Sequence, residues 1–174
     1  DSKIYTYGPL IHNPQVIERL KAYGVLPVDR LSDLKKKDVK AVIIRTHGVP
    51  ADTMAKLSET GLRIIDATCP FVKKAQHYAK LLREEGYKVV ILGDKEHPEV
   101  KGLMSYAGKG CIVVRDGKEI PRTGGRVGIV VQTTQRVDNL KGLIEKALGH
   151  TRELKIFNTI CSSTALRLKE TEDI

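Results

Sequence analysis

Three of the five histidines in this chain stand at one kind of junction. IYTYGPLIHNP carries His12 shortly before Pro14, VIIRTHGVP carries His47 before Pro50, and VVILGDKEHP carries His97 directly before Pro98. Each follows an apolar, β-branched run that suits a buried strand, and each precedes a proline, whose ring presets the first turn of a helix. Imidazoles placed there lie beside helix N–H groups and positive potential, beyond the carboxyl ends of strands, which is a setting for an anion. The stretch GDKEHPEVKG adds Glu96 and Glu99. Taken alone, His97 and Glu99 read as solvated residues of a helix's first turn, where acidic side chains are favoured. His77 and His150 read as ordinary helix-surface and helix-end residues and receive no role.

The cysteines divide in the same way. Cys69 in IIDATCPFVKKAQ and Cys161 in IFNTICSSTALRL each follow an Asx residue, Asp66 or Asn158, by three positions, where a strand ends and a helix begins. Such a setting favours thiolate, the species that ligates metal. Two matched thiols from distant segments suggest a ligand pair, and both zinc and an iron–sulfur cluster are open as its metal. Cys111 opens the run CIVV and reads as a small buried hydrophobe. In GIVVQTTQ, Gln132, Thr133 and Thr134 close a strand, and they suit both a helix N-cap and a ligand contact. No G-x-x-x-x-G-K-[ST] occurs, so a P-loop is excluded.

The elements that must position these side chains alternate. KIYTY precedes a helix expected from about Pro14 to Tyr23, AVIIR one from Pro50 to Thr60, and LRIID one from Pro70 to Glu85. KVVIL then precedes a helix from Pro98; CIVV and RVGIVV precede one from Arg136 to Leu148; LKIF precedes one from Ser162. Alternating β and α elements predict an α/β fold with mainly parallel sheets. Boundaries are expected near Cys69 and Cys161, giving a first α/β unit over 1–69, a second over 70–160 and the start of a third over 161–174.

With 174 residues and 41% apolar composition the chain can bury a real core. No run approaches the ~20 apolar residues of a membrane span, and DSKIYTYGPL lacks signal-peptide features, so a soluble intracellular protein is expected. Three sparse cysteines do not form a secreted disulfide framework. A net charge of +9 favours anionic partners, but without tryptophan and with only two phenylalanines the chain lacks the aromatic faces of a single-strand platform. A non-catalytic phosphate or nucleic-acid binder and a zinc hydrolase using Cys69, Cys161 and a histidine are the rival readings.

Six stretches in order, PLIHNPQV, IIRTHGVP, DATCPFVKKAQ, GDKEHPEVKG, VVQTTQ and NTICSSTALR, closely resemble the LytB family of 4-hydroxy-3-methylbut-2-enyl diphosphate reductases, from about Gly8 to Arg167. The resemblance implies reductive dehydroxylation of an allylic diphosphate to isopentenyl and dimethylallyl diphosphates, the last step of the non-mevalonate isoprenoid pathway. It implies three similar α/β units around a [4Fe–4S] cluster held by three cysteines, electrons from a ferredoxin or flavodoxin, no nucleic-acid or membrane partner, and a cytoplasmic or plastid-stroma location. Carried over by motif, Cys69 and Cys161 are cluster ligands; His12, His47 and His97 bind the diphosphate; Glu99 relays protons; and Thr133, with Gln132, orients the substrate hydroxyl. The family's Gly/Phe-rich first cysteine motif has no counterpart among the eleven residues before His12, nor has its later Ser/Asn-rich phosphate motif. The chain is therefore expected to be a fragment carrying two of three cluster ligands.

Overall fold

The β-branched runs form strands and the proline-opened segments form helices in the computed structural model, which describes residues 3–35, 38–116 and 124–172. The chain divides into two units, Asp1–Cys69 and Pro70–Ile174. The first contains β1 (Lys3–Tyr7), α1 (Pro14–Ala22), β2 (Val25–Val28), α2 (Leu31–Lys35), β3 (Val39–Ile44), α3 (Ala51–Ser58) and β4 (Arg63–Asp66). The second contains α4 (Pro70–Glu84), β5 (Lys88–Leu92), α5 (Pro98–Ala107), β6 (Ile112–Val114), β7 (Arg126–Val131), α6 (Val137–Leu148), β8 (Glu153–Phe157) and α7 (Ser162–Glu172). Among the described residues no helix is long and apolar enough to cross a membrane.

Each unit builds one four-stranded sheet, and every pairing in both is parallel. The strand orders, β2-β1-β3-β4 and β6-β5-β7-β8, are the same order repeated. In each, the chain moves outward from its first strand to an edge and then returns to pair a later strand on the other side. The point of reversal, between β1 and β3 or between β5 and β7, is where an open parallel sheet leaves a crevice beyond its carboxyl ends.

Side-chain alternation sorts the second unit's core. Val89, Ile91 and Val130 pack with Ala75, Ala79 and Leu82 of α4 and Val100 and Leu103 of α5, whereas Val90, Leu92, Val127, Ile129 and Val131 pack with Leu140, Leu143 and Ala147 of α6. A period of two sends neighbours to opposite faces, so a continuous apolar run serves two layers of helix. Gly128 lets α4 approach: a Cβ there would lie 2.5 Å from Leu82 Cδ2. The first unit's core gathers Tyr5, Val28, Leu34, Val42, Ile44, Val49 and Leu57.

Differences from the sequence reading are local. β2 and α2 are additional elements, and β2 contains Pro27. As an edge strand it pairs on one side only, which is where a residue without an N–H is tolerated. Cys111 precedes β6 and is half-buried against the α4–α5 side of the core. Arg136 is the N-cap of α6, so Gln132, Thr133 and Thr134 lie upstream of the helix and none of them caps it.

Candidate active site

Both constellations grow from the reversal point of their sheet. In the first unit Gly8 follows β1 and turns the chain with φ of 72°, a conformation that an L side chain strains to adopt. Its N–H donates to the Val28 carbonyl at 2.7 Å. Asn13 then caps α1 by accepting from the Val16 N–H at 3.2 Å, with Pro14 in the first turn, and His12 directly precedes this cap. After β3 the chain makes a tight turn: the Gly48 N–H donates to the Arg45 carbonyl at 2.9 Å, and Arg45 Nε donates to the Gly48 carbonyl at 3.3 Å. His47 sits within that turn. The Thr46 N–H and hydroxyl both donate to the Leu10 carbonyl, each at 3.1 Å, fastening one loop to the other. The rings of His12 and His47 come to 4.5 Å between centroids, tilted by 44°.

In the second unit His97 is the N-cap of α5, its Nδ1 accepting from the Glu99 N–H at 3.2 Å, and Pro98 opens the first turn. A ring nitrogen that accepts carries no proton, so the imidazole presents its N–H from Nε2. Glu99 is not a solvated first-turn residue: it is 1% exposed. Its Oε1 accepts the Thr133 N–H at 2.7 Å and its Oε2 the Thr133 hydroxyl at 2.8 Å. Burial raises the Glu99 pKa above its ordinary value, and the two bonds from Thr133 lower it only in part.

That balance has a testable sign. A carboxyl whose folded pKa lies above its unfolded value binds its proton more tightly when folded, so its contribution is most favourable at low pH and is lost as pH rises through the folded value. Unfolding titrations at a series of pH values are expected to show wild-type stability falling relative to Glu99→Gln from the ordinary carboxylate range upward. Parallel curves would show that Glu99 is not perturbed.

Gln132 is buried and both ends of its amide are engaged: Oε1 accepts the Asp94 N–H at 2.9 Å and Nε2 donates to Thr134 Oγ1 at 3.0 Å. Behind Thr133 lies Cys161, whose N–H donates to the Thr133 carbonyl at 2.8 Å. Cys69 repeats this contact in its own unit, donating its N–H to the Thr46 carbonyl at 2.9 Å. Each cysteine follows an Asx turn, in which Asp66 Oδ1 accepts the Thr68 N–H at 3.0 Å or Asn158 Oδ1 the Ile160 N–H at 3.2 Å. Both thiols are free and half-buried. Burial raises the Cys161 pKa, but hydrogen bonds from the backbone and side chains of Thr164 and Ser163 outweigh it, leaving the thiol below its ordinary value. Cys111, in contrast, is raised by burial. Cys69 and Cys161 thus share one setting within their own units, a free thiol after an Asx turn with its N–H on a threonine carbonyl, and each could serve as a metal ligand, whereas Cys111 has no such setting.

The first unit thus brings together His12, His47 and Cys69, and the second His97, Glu99, Gln132, Thr133 and Cys161. Sequence reasoning did not single out Thr46. Its signal was present in the matched endings VIIRTHG and VVQTTQ, which place Thr46 and Thr133 at the same step beyond the third strand of their sheets.

Comparison with known proteins gives the relationship. A family model described as LytB protein matches residues 1–174. The 4-hydroxy-3-methylbut-2-enyl diphosphate reductase of Pelobacter propionicus is 45% identical over 176 aligned positions, covering 100% of this chain and 62% of that protein. That of Syntrophotalea carbinolica is 46% identical, covering 98% of this chain and 61% of that protein. The chain therefore spans less than two thirds of the length of these relatives. A solved (E)-4-hydroxy-3-methyl-but-2-enyl diphosphate reductase, described as the terminal enzyme of the non-mevalonate pathway, superposes with a TM-score of 0.81 at 40% identity, covering 99% of this chain and 62% of that one. A diphosphate reductase from Plasmodium falciparum shares the fold, with a TM-score of 0.85 at 24% identity over 100% of this chain and 56% of that one. The family match over all 174 residues, with relatives 45% and 46% identical along it and the repeated α/β units of the fold, establishes that this chain belongs to the LytB family.

Proposed function

We propose that the protein carrying this chain reduces 4-hydroxy-3-methylbut-2-enyl diphosphate to isopentenyl and dimethylallyl diphosphates. The observation that carries this reading is the buried Glu99 carboxyl, doubly bound to Thr133, whose carbonyl in turn holds the backbone of Cys161. A carboxyl whose pKa is raised is thereby linked, through Thr133, to the backbone of a cysteine whose thiol suits a metal. Cys69 and Cys161 would be two of the three cysteines of a [4Fe–4S] cluster. When bound, that cluster supplies electrons, drawn from a ferredoxin- or flavodoxin-type donor in the cytoplasm or plastid stroma, and a Lewis-acidic iron.

The chain's own residues do the rest. Glu99, whose pKa burial raises, gives a proton to the departing hydroxyl so that it leaves as water, and serves afterwards as the route by which a proton reaches the allyl fragment. With Glu99 protonated and donating to Thr133 Oγ1, the Thr133 hydroxyl turns its own proton toward the substrate oxygen. His12 and His47 donate N–H groups to diphosphate oxygens, and His97 donates from Nε2. Gln132 holds Asp94 and Thr134 in place around them.

Removing His47 tests the binding side. His47→Ala in the complete protein is expected to weaken inorganic diphosphate by about 2 kcal/mol, roughly thirtyfold in Kd, because a hydrogen bond to a charged group is lost. Calorimetric titration measures it. Unchanged affinity would reject the phosphate role, and diphosphate binding without turnover of the allylic substrate by anaerobically reconstituted protein would favour a non-catalytic binder.

A further inference from the structure

Arg45 and Gln132 occupy equivalent places, each the first residue beyond the third strand of its unit. Gly8 and Gly93 are equivalent too: each is the first residue beyond its unit's first strand, and each donates its N–H to the last residue of the neighbouring edge strand, Val28 or Val114, at 2.7 and 2.8 Å. In both units the long side chain lies across the glycine. A Cβ on Gly93 would sit 2.8 Å from Gln132 Oε1 and 2.9 Å from its Cβ, and a Cβ on Gly8 would sit 2.8 Å from Arg45 Nη1 and 3.3 Å from its Cδ. Gln132 thereby clamps the loop that leads to Glu99 against the loop that holds Thr133. Arg45 does the same work in the first unit with different chemistry, closing the His47 turn through its Nε and pressing on the start of the loop that carries His12.

We infer that Arg45 is a positioning residue for anion binding: its side chain clasps the Gly8–Asn13 and Thr46–Pro50 loops so that His12 and His47 present their rings together. The inference rests on the proposed diphosphate role of these histidines. Its charge is not the agent, because the guanidinium is turned into the loops: Nε is spent on Gly48, and burial lowers its pKa from the ordinary arginine value against the opposing influence of Tyr7 and Asp29. Lysine keeps the charge and loses the planar fork, so the two roles separate by substitution.

The test measures inorganic diphosphate affinity, kcat and thermal midpoint in the complete protein. Arg45→Met is expected to raise Kd about tenfold while kcat at saturating substrate stays within about threefold, the pattern of lost uniform binding. Arg45→Lys is expected to match Arg45→Met. Gly8→Ala, which displaces the guanidinium from the other side, is expected to weaken diphosphate similarly, and the double variant to fall short of the product of the singles. Kd within about twofold of wild type in Arg45→Met, with His47→Ala impaired, overturns this inference alone. Restoration by lysine also overturns it, since charge would then suffice. Unchanged affinity in His47→Ala overturns the diphosphate reading, and this inference with it.

Discussion

Replacing Glu99 by glutamine is expected to lower turnover of the allylic diphosphate by about a hundred- to ten-thousand-fold, the usual contribution of a positioned general acid. Inorganic diphosphate affinity should stay within about twofold of wild type, well under 1 kcal/mol. The structure makes this substitution unusually clean. A glutamine carbonyl accepts the Thr133 N–H as Oε1 does now, and its NH₂ donates to Thr133 Oγ1, so both contacts of the buried carboxyl are kept in reversed or equivalent polarity. Only the ionisable proton is lost. Glu99→Asp asks the complementary question: a side chain shorter by one methylene cannot reach both Thr133 groups, so it keeps the acid and loses its placement. Single-turnover kinetics with pre-reduced protein separates the chemical step from electron delivery. Turnover of Glu99→Gln within a few-fold of wild type, roughly 1 kcal/mol of barrier, would remove Glu99 from the mechanism.

Cys161→Ser is the second large effect. Serine keeps the size of the side chain and its capacity to accept from Ser163 and Thr164, but a hydroxyl does not ionise where the lowered Cys161 thiol does. In the complete protein, iron and sulfide per chain are expected to fall to background after anaerobic reconstitution, with turnover reduced by more than about a thousandfold. Cys111→Ala is the matched control. That thiol lies before β6, packs against the α4–α5 core and has a pKa raised by burial, so its loss should leave iron content unchanged. Iron retained in Cys161→Ser and lost in Cys111→Ala would invert the ligand assignment. Zinc in place of iron would restore the hydrolase reading.

These predictions start from residues that local sequence makes conspicuous. Strand-to-proline junctions are short-range patterns, and the strands RVGIVV and KVVIL, buried on both faces, announce a parallel sheet by their continuous apolar character. The junction histidines and matched cysteines were legible for the same reason. What stayed hidden is set by long-range contact or by context. VLPV carries a proline and shows no strand pattern, yet it pairs because an edge position asks for bonds on one side only. Glu99 looked like a solvated first-turn acid because nothing nearby in sequence announces Thr133, which is 34 positions away. The Arg45 clasp is hidden for a similar reason: the side chain that lies across Gly8 comes from the loop after β3, remote in sequence.

The repeated strand order has a consequence for how such a site diversifies. At the step occupied by Thr133 in the second unit, the first unit has Thr46, with the same N–H and hydroxyl and a cysteine N–H on its carbonyl. The difference is what those donors meet. Thr46 gives both to the Leu10 backbone and is thereby used up in holding a loop, whereas Thr133 gives both to a side chain that can gain or lose a proton. On the proposed reading, one carboxyl in place of one carbonyl turns a fastening into a reactive contact, while the strand order around it stays the same. Two units with one strand order thus differ, on that reading, between holding a loop and serving proton chemistry at this step by a single hydrogen-bond acceptor.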